Sequence, residues 1–354
     1  MSQKFRYIFK FNIRDYFGDW WETANNRDRT IFKVVLISLC YALPFLKNPI
    51  IDTPESSFDS VLFYPLITFV ILSIGLNIVV GKSGILDLGF VAFYAIGAYS
   101  MAIFGTTTSL NFWEILPIGM GLAMLAGVAL GLPALRLRGD YLAIITLGFG
   151  EIVRIVAINV SITGGSQGIY GIPTPPPLFG IEFSVTDVRP YYWLTLTFVF
   201  FVIWAFIRLT RRRPGRAWEA IREDEDVAEF MGVPTLKYKL WAFVLGGAVG
   251  GASGVVYASQ VTSIVPELFK VSVSFLILAC VVFGGMGNVW GVILGAIILN
   301  YIPEKIRFLS DTRIVVFGVL MVLMMNIRPD GIVPRRKREK FIESKQEGLK
   351  TSER

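Results

Sequence analysis

The chain has 354 residues, of which 54% are hydrophobic and 17% are charged, with a formal net charge of +7. This composition indicates an integral membrane protein. The sequence has no histidine, and its two cysteines, Cys40 and Cys280, lie in apolar stretches. A histidine-based catalytic triad, a disulfide framework and a metal site are therefore not expected, and the chain is not predicted to be an enzyme.

Residues 1–30 mix basic side chains with aromatic ones, and no long apolar core follows the first basic residues. The segment is therefore not a signal peptide. Basic and aromatic residues in alternation are typical of an arm that lies at the membrane interface on the cytoplasmic side. Binding of nucleic acid is a weaker interpretation, because the charge lies beside an apolar run.

Apolar runs close to the roughly 20 residues that cross a bilayer predict an all-α polytopic bundle of about ten spans, within a range of nine to eleven. The expected transmembrane region is 31–327. The runs are 31–46, 60–80, 84–104, 113–133, 141–160, 190–209, 240–260, 271–285, 289–302 and 313–327.

Ten spans place both termini on one side of the membrane, and the basic residues divide unevenly between the two sides. The side that holds the termini and the 208–239 loop carries 27 lysines and arginines, and the other side carries 6, with Arg154 inside a span. The positive-inside rule then predicts cytoplasmic termini, a basic cytoplasmic tail at 328–354 and a bacterial inner-membrane location.

The loop at 208–239 is too charged to lie in hydrocarbon, where an ion costs about 2.5–3.5 kcal/mol even on the lenient insertion scale. It is also expected to fold. Pro214 suits the first turn of a helix, Asp224 can cap a second one, and Gly232 with Pro234 supplies a stop. The loop is interpreted as a docking segment for a cytoplasmic partner, and a solvated linker is the alternative.

The longest loop on the opposite side, 161–189, is rich in glycine and proline. It includes Gly164, Gly165 and Gly168, followed by four prolines between 173 and 177. Irregular backbone of this kind often meets a ligand or partner, although an ordinary connector has the same composition.

The stretch GLNIVVGKS at 75–83 superficially matches a phosphate-binding loop, but five residues rather than four separate Gly75 from Gly81. We expect no ATP or other cofactor on this chain. Glycines also recur every four residues in three groups, which predicts close helix packing, with a passage lined by small residues as the alternative. The groups are Gly127 and Gly131; Gly246, Gly250 and Gly254; and Gly287, Gly291 and Gly295.

Three ionisable residues lie within predicted spans: Asp87, Glu151 and Arg154. Glu151 and Arg154 are three residues apart and share a helix face, so they can neutralise each other. One interpretation is a structural ion pair. The other places all three residues along a polar passage for a charged solute.

Several long stretches resemble a known family. They are GLNIVVGKSGILDLGFVAFYAIGAYS (75–100), LPALRLRGDYLAIITLGFGEIVRI (132–155), PGRAWEAIREDEDVAEFMGV (214–233), VFGGMGNVWGVILGAIIL (282–299) and VLMMNIRPDGIVP (322–334). Together they resemble the LivM-type permeases of bacterial branched-chain amino-acid ABC importers, in the same order over residues 60–334.

The resemblance implies a type II importer permease that works with a homologous LivH-like permease, two cytoplasmic ATPases that hold ATP and Mg, and an extracytoplasmic amino-acid-binding protein. It also implies a coupling helix that docks on an ATPase, with Trp218 and Ile221 expected to fill a groove there. The implied coupling residues are Gly215, Arg216, Ala217, Trp218, Glu219, Ala220, Ile221 and Gly232. In the outer loop, Gly165-Ser166-Gln167-Gly168 stands where many relatives read GPNG, which puts the geometry of that turn in doubt.

Two other functions are weighed against this one. The same scaffold imports urea or short amides in related permeases. A membrane enzyme or an ATP-independent channel is disfavoured by the missing histidines and by the coupling segment.

Overall fold

The structure is a computed structural model that describes residues 26–45, 58–135, 137, 139–177, 180–184, 186–305, 313–328 and 331–333. The chain divides into two units, Met1–Pro49 and Ile50–Arg354. In the first unit, helix α1 covers Asn26–Ala42 and a 3-10 turn covers Leu43–Phe45. Most of the predicted N-terminal arm and of the predicted basic tail lie outside the described residues.

Helices in the second unit occupy all nine of the remaining apolar runs. Their bounds are α2 (Phe58–Lys82), α3 (Val91–Thr107), α4 (Phe112–Ala134), α5 (Asp140–Asn159), α6 (Arg189–Thr210), α9 (Thr235–Val261), α10 (Val271–Gly284), α11 (Val289–Lys305) and α12 (Arg313–Ile327). Two short helices, α7 (Arg213–Glu223) and α8 (Glu225–Phe230), lie between α6 and α9.

Among the described residues, six helical stretches are long and apolar enough to cross a membrane. They are Phe58–Lys82, Phe112–Ala134, Tyr141–Asn159, Arg189–Thr210, Thr235–Val261 and Pro266–Gly284. Shorter apolar helices include Val91–Thr107 and Val315–Met324, and a straight crossing needs about 20 residues. The chain is therefore a multi-pass, all-α membrane protein, and the count of ten spans stays a prediction.

The expected span at 84–104 is wrong at its start, because residues 84–90 are not helical and α3 begins at Val91. Gly84 adopts a φ of +73°, which ends the preceding helix. Buried irregular backbone needs hydrogen-bond partners from neighbouring elements. They exist here: Leu88 donates its N–H to Thr146 Oγ1 at 3.0 Å, and Val91 donates its N–H to Ser274 Oγ at 3.0 Å.

Helix α9 packs between α3 and α4 through the glycine faces that the sequence predicts. A Cβ added at Gly127 would lie 3.0 Å from the carbonyl oxygen of Phe243, and one at Gly254 would lie 2.6 Å from the Ala98 nitrogen. These glycines therefore bring backbones of this chain together, as the packing interpretation predicts, and do not line an open passage. In the third group, Gly287 falls outside α11.

Two small backbone pairings close the bundle. Strands β1 (Ile169–Tyr170) and β2 (Ser263–Ile264) pair antiparallel, which ties the glycine-rich loop to the end of α9. Near the C-terminus, Ile332 donates its N–H to the Phe283 carbonyl oxygen at 2.9 Å. The closing stretch that carried part of the family resemblance is thus attached to the end of α10.

Candidate functional site

The loop after α6 folds as its sequence predicts. Pro214 lies in the first turn of α7, where its missing N–H costs nothing. The Asp224 carboxylate accepts a hydrogen bond from the Val227 N–H at 3.0 Å and so caps α8. Gly232 has a φ of +80°, which turns the chain away from α8 toward α9.

The expectation that Trp218 and Ile221 fill a groove on a partner is wrong. Trp218 is 1% exposed and Ile221 is 4% exposed, both buried within this chain. The Trp218 indole N–H donates to the Tyr238 carbonyl oxygen at 2.7 Å. Gly215 and Ala217 are buried on the same side of α7. The apolar face of α7 therefore packs on the chain's own bundle, which satisfies the tryptophan better than solvent would.

The polar face of α7 contacts the Asn77–Lys82 end of α2. Arg222 donates a hydrogen bond from Nη1 to the Gly81 carbonyl oxygen at 2.5 Å. The Lys82 ammonium lies 3.5 Å from a Glu219 carboxylate oxygen. Farther along, the Asn77 side-chain oxygen accepts the Gly287 N–H at 2.8 Å. A force applied to α7 would therefore reach α2 and the turn before α11 directly.

Large apolar side chains are exposed on α8 and on the turn after it. Phe230 is 90% exposed, Met231 is 80% exposed and Val227 is 55% exposed. We call these three residues the α8 patch. An exposed Phe beside an exposed Met, outside the spans, marks a contact surface. Sequence reasoning missed the α8 patch because it assigned the docking role to the aromatic residue of α7, and no periodicity distinguishes the two positions.

The second group of predicted residues forms a charge cluster with four members. Arg154 Nε lies 3.0 Å and 3.1 Å from the two carboxylate oxygens of Glu151, and its Nη2 also bonds to that carboxylate. Arg154 Nη1 lies 3.5 Å from Glu267, and Glu267 pairs with Lys270. We call this set the Glu151–Lys270 cluster. Glu267 is far from Arg154 in sequence, so no local pattern predicts the contact.

The Glu151–Lys270 cluster lies on the surface of this chain, at the C-terminal half of α5 and the turn before α10. The Glu267 side chain is 56% exposed and the Glu151 side chain is 34% exposed. Exposed charges on a spanning helix do not face lipid, because the cost in hydrocarbon is several kcal/mol. This face is therefore one that water or another protein covers.

Asp87 is not part of that cluster. It is fully buried in the irregular segment before α3, where its Oδ1 accepts the Gly89 N–H at 2.9 Å. This contact organises the backbone locally. The structure therefore separates Asp87 from Glu151 and Arg154, which the sequence grouped together.

The glycines of the 161–189 loop serve its geometry. Gly164, Gly165 and Gly168 all have a positive φ, between +60° and +78°. Gly168 packs against Ile264 and Val265, so a side chain there would collide with the strand pairing. The loop is thus a shaped surface attached to the end of α9.

Comparison with known proteins agrees with the resemblance. A family profile described as "Branched-chain amino acid transport system / permease component" matches residues 60–325. The chain is 41% identical over 327 residues to the LivM permease of the high-affinity branched-chain amino acid transport system of Escherichia coli, covering 86% of this chain and 75% of the relative.

More distant relatives extend the same pattern. A probable LivM permease of Methanocaldococcus jannaschii is 29% identical, over 74% of this chain and 84% of the relative. The LivH permease of Salmonella typhimurium is 24% identical, over 77% of this chain and 93% of the relative. No solved structure matches the chain. The matched region includes every predicted site residue, and on these grounds the chain belongs to the branched-chain amino acid permease family of ABC transporters.

Proposed function

We propose that this chain is one of two permease subunits of an inner-membrane importer for branched-chain amino acids. A LivH-like permease would be its membrane partner, two cytoplasmic ATPases would supply energy, and an extracytoplasmic binding protein would deliver the amino acid. Both termini and the α7–α8 loop would then be cytoplasmic, as the 27-to-6 division of basic residues supports. The relatives described above carry branched-chain amino acid names, so urea import is not proposed.

The observation that carries the coupling role is the α8 patch together with the rigid attachment behind it. The patch presents Phe230 and Met231 to solvent, while Arg222 and Glu219 of α7 hold the end of α2. A buried ion pair between Lys239 and Glu225, at 2.5 Å, fixes the start of α8 to α9. A subunit bound to the patch would thus move two spans at once.

A substitution in the α8 patch tests this role. Phe230→Ser with Met231→Ser removes apolar anchors that typically contribute about 2 kcal/mol or more each to an interface. The variant should reach the membrane at normal levels, lose the co-purifying ATPases and lose uptake of leucine. Ile162→Ser, which removes another exposed apolar side chain from the opposite loop, should keep the ATPases. Normal ATPase binding by the double variant would contradict the assignment.

For the substrate path, we propose the face that carries the Glu151–Lys270 cluster. A branched-chain amino acid is a zwitterion, and the cluster offers carboxylates for its ammonium group and a guanidinium for its carboxylate. The ion pairs within the cluster exchange for contacts of similar strength, so the solute is held weakly and released.

A further inference from the structure

The end of α6 that leaves the membrane carries a row of side chains on one helix face. Phe201, Trp204, Arg208 and Arg211 follow one another at spacings of three or four residues. Phe201 and Trp204 are 57% and 59% exposed, and their ring centroids are 6.0 Å apart. The face therefore changes along its length from exposed aromatic rings to exposed guanidinium groups.

A groove of about 280 Å³ lies at this change of character. Trp204 and Ile207 form its apolar wall, and Arg208, Arg211 and Arg212 form its basic wall. The three arginines are exposed. In the part of the chain that the structure describes, no ion pair or side-chain hydrogen bond joins any of them to another residue.

Arginines at the end of a spanning helix have a simple role, since they favour a cytoplasmic location and complement the helix dipole. That role requires neither a shared groove nor a tryptophan wall. Three like charges on adjacent turns also repel one another, and an anion placed between them removes the repulsion. The arrangement selects a ligand with an anionic head and an apolar body.

We propose that this groove binds the phosphate headgroup of an anionic phospholipid. The guanidinium groups of Arg208, Arg211 and Arg212 would donate to the phosphate oxygens, for which the planar fork of arginine is suited. The acyl chains would lie along Trp204 and Phe201, on the membrane-facing side of α6. The site is independent of the proposed substrate path, and it is separate from the α8 patch.

The position of the groove distinguishes this ligand from a free anion. A soluble phosphate would gain nothing from Trp204 and Phe201, whereas a lipid gains apolar contact along the same face. Basic pockets beside spanning helices are a common way to hold anionic headgroups.

The full-length protein, purified in a zwitterionic detergent, provides the test. Native mass spectrometry would measure the binding of phosphatidylglycerol and of phosphatidylethanolamine. We expect the wild type to bind phosphatidylglycerol at least tenfold more tightly. Arg208→Gln with Arg211→Gln and Arg212→Gln should abolish that preference. A control with Arg335→Gln, Arg336→Gln and Arg338→Gln, which makes the same change in net charge, should keep it.

Further arms keep the result decisive. Trp204→Ala should weaken the binding of both lipids, and millimolar inorganic phosphate should not displace phosphatidylglycerol. If the triple variant fails to fold, each single arginine variant should still lower the preference about twofold or more. Unchanged preference in the arginine variants, or full displacement by inorganic phosphate, would overturn the proposal. So would arginine variants that keep the lipid preference and lose the ATPases, because the groove would then be a protein contact.

Discussion

Neutralising the Glu151–Arg154 pair distinguishes a structural ion pair from a pair that handles substrate. The structure predicts that the two single variants differ. Arg154→Gln leaves Glu151 without the guanidinium that both of its oxygens contact, and an unpaired carboxylate at membrane depth costs about 2.5–3.5 kcal/mol. Glu151→Gln leaves Arg154 beside Glu267 at 3.5 Å, so its cost should be smaller, roughly 0–1 kcal/mol.

The double variant, Glu151→Gln with Arg154→Gln, removes both charges and should restore the amount of folded protein to near the wild-type level. Uptake should not recover. Each charge-assisted hydrogen bond to a solute contributes about 1.5–3 kcal/mol, so losing one slows leucine uptake roughly tenfold or more. The assay is ATP-dependent leucine uptake in vesicles, normalised to the permease in the membrane. Wild-type uptake by a well-expressed double variant would refute the pathway role and leave a structural pair.

Two further predictions concern topology and packing. In a variant without native cysteines, a cysteine at Ser166 should react with a membrane-impermeant thiol reagent added to intact cells, and a cysteine at Asp226 should not; reversed labelling would overturn the orientation. Gly97→Ala should lower the yield of folded protein and its thermal midpoint, because the added Cβ would overlap the Gly251 backbone. The matched control is Gly121→Ala, where the added Cβ meets nothing within 4 Å, and equal midpoints for the two variants would contradict the packing argument.

Local features were predictable wherever the cause is local. The apolar runs, the cap at Asp224 and the turn at Gly232 depend on composition and on backbone preferences of a few neighbouring residues, and the structure has all of them. The break before α3 was missed although Gly84 lies at its start, because the apolar residues that follow are compatible with either a helix or a buried extended segment.

What the sequence by itself determined is the class of the protein: hydrophobic composition requires a membrane protein, and glycine spacing requires close helix contacts. Only the tertiary structure decided which side chains are available to a partner. An aromatic residue in a charged loop is equally suited to its own bundle or to another protein, and packing against α9 gave Trp218 the first role and left Phe230 for the second. The contact between Arg154 and Glu267 is likewise a product of the fold, because it joins residues 113 positions apart that no local preference connects.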